Sequence, residues 1–566
     1  LKPIPQQIQD LIQQAAQAAQ AAGALPPFDL PPAIPVSPAK NPGQGDYGSP
    51  LAMSLAKALG QKPLDIAAVL AQHLPPHPMI AEAAAAAPGF LNFRLDESWL
   101  LSQAEVMMSE GPAYFQQNIG GGERAQVEFV SANPTGPLHI GRTRGAILGD
   151  ALARLLEACG WVVEREYYFN NAGRQMEILG LSLRARYLQA LGRPADLPEK
   201  GYQGSYLVEM AEELKTEVGE AWAESDWGPF KDYAEKQIFA MIQATLARVR
   251  IRHDHYFNEN SLYDSRAVWE TLEKLKAAGY VYEAIGREGS EEDESAQAGK
   301  LPATWFRSTA LGDGEDRVLV KSNGDPTYLL PDIAYHMNKL DRGYARAYNI
   351  LGADHVVEAQ GVARGLRALG YPAERVQVLI HQFVTFEEGK MSTRGGNYVT
   401  LDDLVDEVGV DVVRYFMLAR SPNSHLQFDF DLAKQQSNDN PVYYIQNAHV
   451  RCSGIFRQVA ERGYPENWDA GADLALWGPA ERRFLRKALE LPEVMHLAYH
   501  QAEPHQIAFW TLELARLFHP LYDEVRVLHS EVGEDVARAR LRFYRLARGV
   551  FAYALGLMGM DAPERM

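Results

Sequence analysis

Hydrophobic positions change their spacing several times along this chain, and each change marks an element. Residues 1–24 put Ile8, Leu11 and a set of alanines on one side of an Ala/Gln-rich helix. Leu25–Pro42 is dense in proline, which lacks the amide hydrogen a helix needs, so an extended or looped segment is predicted. GDYGSPLAMSLAKALG and KPLDIAAVLAQHLP then read as two amphipathic helices. Gly89–Asp96 alternates Phe90, Asn92 and Arg94 against Leu91, Phe93 and Leu95, the two-residue period of a strand. Together these segments predict a small α/β domain over 1–111.

The pattern changes near Gln126. Val127–Val130 is a short apolar run suited to a buried strand. The chain then breaks at Asn133-Pro134, crosses the Thr135-Gly136-Pro137 turn and opens a helix that runs through Ala146–Ala158. Trp161–Phe169 is a second strand, followed by a loop and helix start at Asn170–Gln175. Residues 180–255 are charged and helical and read as an insertion. Arg287–Lys300 is acidic and poor in apolar residues, as expected of a solvated loop. Strands resume at Thr304–Ser308, Arg317–Ser322 and Ala347–Leu351, and from Gly409 onward the pattern is almost entirely helical. Alternating strands and helices predict a mostly parallel, doubly wound, Rossmann-type sheet with its ligand crevice at the carboxyl ends of the strands. The fold class is multidomain α/β: that sheet, a small N-terminal α/β domain, and an all-α C-terminal helix bundle.

Composition narrows the function classes. A chain of 566 residues and 63.0 kDa, 46% hydrophobic and 23% charged, is that of a globular protein with several cores. No apolar run approaches the ~18 residues that span a bilayer, and no basic-then-apolar leader precedes the first helix, although the start at Leu1 suggests that a few residues are missing or trimmed. We expect a cytoplasmic monomer with no membrane partner. Two cysteines, Cys159 and Cys452, make neither a zinc site nor a disulfide framework. A net charge of −18 excludes a generic nucleic-acid coat and leaves RNA binding to local basic faces.

Four stretches carry chemistry. In the first, strand, turn and helix start aim free N–H groups and a positive dipole at one point, a phosphate-binding geometry; Gly141 leaves room there and His139 adds a donor or a cation. In LVKSNGDPTYLLPDIAYHMNK, Asn323-Gly324 is a turn signal and Pro331 a helix-start signal, which places Asp332 in the first turn. Tyr328 lies four residues earlier and can face the same cavity; Asp332 can equally serve only as a helix-start acid. In EEGKMSTRGGNYVTLDDLVDEVG, glycines and short polar residues carry the cations Lys390 and Arg394, which suits a plain hairpin or a phosphate clamp. Last, Tyr444, Asn447 and Arg451 recur at helical spacing ahead of the basic cluster Arg482, Arg483, Arg486 and Lys487. Aromatic rings beside arginines suit unstacked RNA bases, and aromatic stripes also build bundle cores.

The run Ala132, Asn133, Pro134, Thr135, Gly136, Pro137, Leu138, His139, Ile140, Gly141, Arg142 resembles the HIGH region of class I aminoacyl-tRNA synthetases, and SANPTGPLHIG resembles the arginyl branch. Lys390-Met391-Ser392-Thr393-Arg394 resembles the KMSKS loop, in the right order. GDY…LAK and GFLNF resemble the N-terminal module of arginyl-tRNA synthetases, and the helical C-terminus through Pro563-Glu564-Arg565-Met566 resembles their anticodon-binding bundle. The resemblance implies an arginyl-tRNA synthetase. ATP and L-arginine would form arginyl-adenylate and pyrophosphate, and arginine would pass to the 3′ end of tRNA(Arg). The substrate carboxylate is itself the nucleophile, so catalysis would be positioning and charge stabilisation.

By that resemblance Pro137, His139, Gly141, Arg142, Lys390, Met391 and Ser392 bind ATP, and among them His139, Arg142, Lys390 and Ser392 are catalytic. Glu128, Ser131, Asn133, Tyr328, Asp332 and Gln360 bind arginine, and Tyr444, Asn447, Arg451 and Met566 bind tRNA. Mg2+ accompanies ATP, and zinc is not expected. The implied division is a tRNA-contacting domain over 1–111, a catalytic domain over 112–385 with its helical insertion around 180–255, the KMSKS-like loop and connecting segment over 386–430, and the anticodon-binding domain over 431–566. Arg142 replaces the second histidine of HIGH, Thr393 replaces the second lysine of KMSKS, and Gly136 stands where some arginyl enzymes carry a substitute lysine. These departures leave a second reading, an inactive paralogue that binds RNA or regulates. Two roles stand for Arg142: reaching the reacting phosphates, or turning outward to an acid such as Asp150. A third reading, a small HIGH-type nucleotidyltransferase, fits poorly with the length.

Overall fold

A computed structural model describes residues 2–39, 42–285, 301–386 and 399–566. The Ala/Gln-rich helix spans Ile4–Ala21 and buries Ile4, Ile8, Leu11 and Ile12. It belongs to a module built on an antiparallel sheet of β1 (Ser37–Pro38), β2 (Tyr47–Ser49), β3 (Ile80–Ala86) and β4 (Phe90–Leu95), in the order β1-β2-β4-β3. Two readings change here. The first amphipathic stretch opens as strand β2 and becomes helical only over Leu51–Leu59, whereas the second is helical over Pro63–Gln72. The alanine-rich β3 is helical by propensity, yet pairing with β4 across the Pro88-Gly89 turn holds it extended.

The central sheet contains β5 (Arg124–Glu128), β6 (Val162–Phe169) and β7 (His255–Asn258). A small antiparallel sheet of β8 (Val281–Ala284), β9 (Ala303–Phe306) and β10 (Arg317–Val320) intervenes before β11 (Arg346–Gly352) and β12 (Val376–His381) complete it. All neighbours in the order β12-β11-β5-β6-β7 run parallel. Strand order reverses between β5 and β11, so the crevice opens beyond Glu128 and Gly352. Four of the five residues of β5 are buried, as helices on both faces of a parallel sheet require. The helix Thr143–Ala158 closes onto this strand at Gly149, where a Cβ would lie 2.3 Å from the Phe129 ring.

The insertion comprises the helices Arg174–Ala190, Ser205–Val218 and Gly228–Arg248 and ends as β7. That four-residue strand and β12 have little pattern of their own and stand because β6 and β11 lend them partners. β13 (Val384–Phe386) pairs with β14 (Leu426–Phe428), a strand inside the stretch read as helical. The C-terminal bundle packs the helices Pro441–Glu461, Pro479–Ala488, Leu491–Gln501, His505–Glu524 and Glu534–Leu557. Among the described residues, no helix is long and apolar enough to cross a membrane.

One buried hub joins these parts. Asp150, in the helix Thr143–Ala158, accepts from Arg414 of the helix Val410–Leu418 and from Arg154 Nε at 2.7 Å, with Arg165 Nε at 3.7 Å. Arg414 also donates to Val249 O (2.6 Å), at the end of the insertion, and to Met558 O (2.8 Å), at the end of the bundle. Gly559 makes room for it: its φ is +68°, and a Cβ there would lie 2.1 Å from the guanidinium. Gly559→Ala should displace Arg414 from Asp150 and lower stability by ~3 kcal/mol or more, since it leaves a buried charge without its partner. Gly556→Ala, whose Cβ would meet open space, should be neutral or gain up to ~1 kcal/mol of helix propensity. Thermal unfolding of the two variants checks both.

Candidate active site

β5 hands the chain to Val130 (φ 70°) and Ser131 (φ 43°), both in the left-handed region. Each such residue costs ~1–3 kcal/mol, most of all a β-branched valine, so the surroundings must hold it. The end of β6 does so. Tyr168 N donates to Ser131 Oγ (3.2 Å), the Tyr167 hydroxyl to Ala132 O (2.8 Å) and Asn170 N to Asn133 Oδ1 (3.0 Å). From the insertion, the Tyr206 hydroxyl donates to Thr135 O (2.7 Å).

His139 caps the short turn Ile140–Arg142, its Nδ1 accepting from Gly141 N–H at 3.0 Å. Burial first, and the Arg142 charge second, push its pKa down, so at neutral pH the imidazole is uncharged with its proton on Nε2. Leu138 O accepts from Leu401 N (2.9 Å) and Ile140 N donates to Val399 O (3.1 Å), which fixes where the chain returns after residue 398. Arg144, fully buried, donates to the carbonyls of Gln382 (2.9 Å), Ser424 (2.7 Å) and Ser421 (2.8 Å). Burial lowers its pKa to about 10.

Across the crevice, the helix Leu329–Asp341 begins at Tyr328 and carries Asp332 in its first turn. The Asp332 carboxyl lies in the field of Glu358, on the helix Val356–Ala368. Burial, then Glu358, then Glu128 and Glu259, hold Asp332 well above the usual carboxylate range. Glu358 also accepts from His355 Nδ1 (3.0 Å), a bond that lowers the pKa of Glu358 and raises that of His355. Glu259 accepts from the Tyr168 hydroxyl (2.7 Å). Glu128 is engaged on both oxygens, by Lys339 Nζ (2.5 Å) and Ser131 Oγ (3.0 Å). Lys339 donates onward to Asn349 Oδ1 (2.7 Å), and His336 Nδ1–H donates to Asp332 O (2.7 Å), its pKa driven down to about 4 by burial and then by Lys339. Burial and the charges of three neighbouring acids thus act together on Asp332.

The expected residues divide. Glu128, Ser131 and Asp332 converge on the crevice, and Asn133 stands at its turn, its amide donating to Gln175 (3.2 Å). Tyr328 is 79% exposed and Gln360 is exposed; Glu358, two residues before Gln360, is the one whose charge acts on Asp332. Lys390, Met391, Ser392, Thr393 and Arg394 lie outside the described residues, as does the acidic loop Arg287–Lys300. The pairing of Arg142 with Asp150 is overturned. Asp150 is buried and held by Arg414, Arg154 and Arg165, whereas the Arg142 charge acts on His139, His355 and His381 around the crevice. Lys339 was legible as a residue seven positions after Asp332, on the same helix face. Glu259 and Arg144 had no local signal, because their partners come from distant segments.

In the bundle, Tyr444, Asn447 and Arg451 share the helix Pro441–Glu461 and are half-buried. Arg451 donates to His519 Nδ1 (3.1 Å) and lies 4.9 Å over the Tyr522 ring. His449 and Arg457 of the same helix hold Pro563 O (2.7 Å) and Glu564 O (2.6 Å), which leaves Met566 58% exposed. Three residues of the later basic cluster are paired with acids, and Arg483 is exposed. Arg482 pairs with Glu97 (3.1 Å), Arg486 with Asp46 (2.9 Å) and Glu97, and Lys487 with Glu490 (2.7 Å) and Glu513 (2.8 Å). Arg482 and Arg486 fasten the bundle to the N-terminal module, and Lys487 ties segments within the bundle. Glu164, Glu166 and His255 are close enough for a metal, but Arg342 (2.6 and 2.9 Å) and the Tyr335 hydroxyl already take both oxygens of Glu166.

Residues 6–95 match the arginyl-tRNA synthetase N-terminal domain, 105–420 the class I (R) tRNA synthetase catalytic domain, and 445–566 the DALR anticodon-binding domain. The chain is 43% identical to the arginine–tRNA ligase of Desulforudis audaxviator over 554 residues, covering 96% of this chain and 94% of that one. It is 42% identical to that of Desulfitobacterium hafniense over 566 residues, covering 98% and 97%. The solved arginyl-tRNA synthetase of Thermus thermophilus, 24% identical, superposes along 100% of both chains with a TM-score of 0.75 and so shares the fold.

Arg144→Met keeps the bulk but removes the hydrogen bonds to three carbonyls. It should cost ~3 kcal/mol, about 1 kcal/mol for each bond. Arg144→Lys, with a single ammonium, should recover part of that loss. Denaturant unfolding midpoints of the two variants check this.

Proposed function

The chain belongs to the arginyl branch of the class I aminoacyl-tRNA synthetases and is an arginine–tRNA ligase, and from that premise we propose how its residues divide the work. The substrate guanidinium is taken at Asp332, with Glu128 setting the field and Ser131, Asn133, Tyr328 and Gln360 around the rest of the amino acid. ATP, carrying its Mg2+ as part of the substrate, lies along Pro137–Arg142. A carboxylate oxygen of arginine attacks the α-phosphorus, the bond to the β-phosphate oxygen breaks, and pyrophosphate leaves. The neutral His139 offers Nε2–H to the phosphates, and Arg142 forks two donors onto charge that develops in the transition state. Lys390, Met391 and Ser392 supply the remaining contacts by family resemblance. A ribose hydroxyl at the tRNA 3′ end then attacks the acyl carbon and AMP leaves. Tyr444, Asn447, Arg451 and Met566 contact tRNA(Arg). We take the protein to be a zinc-free cytoplasmic monomer, divided at 1–111, 112–385, 386–430 and 431–566.

The observation that supports this reading is the group of acids that act on Asp332, in the first turn of its helix, together with the His139 turn. A carboxylate facing a guanidinium makes paired, charge-assisted hydrogen bonds that a lysine ammonium cannot match.

Three measurements test it. Asp332→Ala should raise the KM for arginine far more than that for ATP in pyrophosphate exchange, run with and without tRNA, by the ~3–5 kcal/mol of a broken buried pair. Equal effects on both substrates would reduce Asp332 to a helix-start acid. Arg142→Ala should slow adenylate formation by ~10²-fold (about 2.7 kcal/mol) while ATP binding changes much less. A single-turnover rate within about threefold of the parent removes Arg142 from the reaction. Elemental analysis should find no stoichiometric zinc.

A further inference from the structure

Between the turn that carries Asp332 and the strained turn after β5, buried polar groups form one unbroken line. Lys339 Nζ, which can only donate, gives to Asn349 Oδ1 (2.7 Å) and Glu128 Oε2 (2.5 Å), and sits 4.4 Å over the Tyr335 ring. That orientation of the amide turns Asn349 Nδ2 towards His336 Nε2 (2.5 Å), which therefore accepts. His336 Nδ1–H then donates to Asp332 O (2.7 Å), in the first turn of the helix Leu329–Asp341. In the other direction, Glu128 Oε1 accepts from Ser131 Oγ (3.0 Å), which in turn accepts from Tyr168 N (3.2 Å). Lys339 is fully buried, and Glu128, His336 and Asn349 are buried beside it. Every donor along the line meets an acceptor, so removing one link leaves buried polar groups unpaired on either side of it.

We propose that Asn349 and Lys339 are positioning residues for adenylate formation. Through Glu128 and Ser131 they hold the strained turn that leads to His139, and through His336 they hold the turn of Asp332, so that the two substrates keep one register. This rests on placing arginine at Asp332 and ATP along Pro137–Arg142, as above. Neither residue belongs to either turn: Asn349 is on β11, and Lys339 is further along the helix that Asp332 begins. The left-handed conformations of Val130 (φ 70°) and Ser131 (φ 43°) persist only where the surroundings fix them, and the line ends on the Ser131 hydroxyl. Apolar side chains could fill the same space, but they would not fix a hydroxyl or a backbone carbonyl in direction. Attack of a carboxylate on phosphorus tolerates little drift, since a misplacement of about 1 Å costs ~10²-fold in rate.

Single-turnover formation of arginyl-adenylate by the full-length protein with tRNA, at saturating arginine and ATP, reads the register. Asn349→Leu, similar in size but without hydrogen bonds, and Lys339→Met should each slow this step by ~10–10²-fold. The KM values for arginine and ATP should each move by less than about threefold. The double variant should be no slower than the slower single one, because one broken link already opens the line. Thermal unfolding checks that each variant is folded at the assay temperature; if Lys339→Met is not, Asn349→Leu combined with Ser131→Ala forms the same cycle. Saturated rates within about threefold of the parent, with only the melting midpoint lowered, overturn the proposal and leave these groups as core packing. Effects that multiply in the double variant also overturn it, since the two residues then act separately. So does a rise confined to the KM for arginine, which makes them supports of the arginine end alone. Asp332→Ala keeps the two levels apart. If its KM for arginine is unchanged, the placement at Asp332 fails and takes the arginine half of the proposal with it; if that KM rises while Asn349→Leu forms adenylate at the parent rate, only the positioning line fails.

Discussion

The buried charge of Asp150 constrains the rest of this molecule. A carboxylate on the helix that follows the His139 turn cannot be left unpaired in the interior. Its main partner, Arg414, comes from the far side of the catalytic module and is itself satisfied by carbonyls at the end of the insertion and of the bundle. Such a pair contributes little net stability once desolvation is counted, but it tolerates few geometries. The middle of the catalytic helix is thereby referenced to three segments that are remote in sequence, and Gly559 is the residue that lets the guanidinium into place.

Arg144 extends the same logic to the start of the helix. Three carbonyls replace a counter-ion, so the residue stays charged and fixes the His139 turn against β12 and the approach to β14. The active-site turn carries two strained residues, and it is gripped by β6 on one side and by Arg144 and Val399 on the other. Strain of that kind persists only where the surroundings over-determine it.

The acids around Asp332 show how a net charge of −18 is used. Several basic side chains are committed inside the protein: Arg482 and Arg486 to joining modules, Lys487 to the bundle, Arg414 and Arg154 to the hub, and Lys339 to Glu128. The acids near Asp332 hold its carboxyl above the usual range, and the Arg142 charge acts at the His139 turn.

The sequence by itself determined the elements whose information is local. The strand-turn-helix around His139, Asp332 in a first turn, the helical bundle and the helical insertion could all be read from period, proline and glycine placement and motif, because each depends on neighbours within a few residues. Tertiary structure decided what depends on partners far along the chain. β3 and β7 are strands because β4 and β6 hold them, against their own propensity or pattern. Arg142 does not pair with Asp150 because Arg414, Arg154 and Arg165 already hold it, and Arg482 and Arg486 join modules because Glu97 and Asp46 come to meet them. Glu358 acts on Asp332 because the helices Leu329–Asp341 and Val356–Ala368 pack side by side. A buried charge is read correctly only when its partner is known, and spacing along a sequence does not supply partners from distant segments.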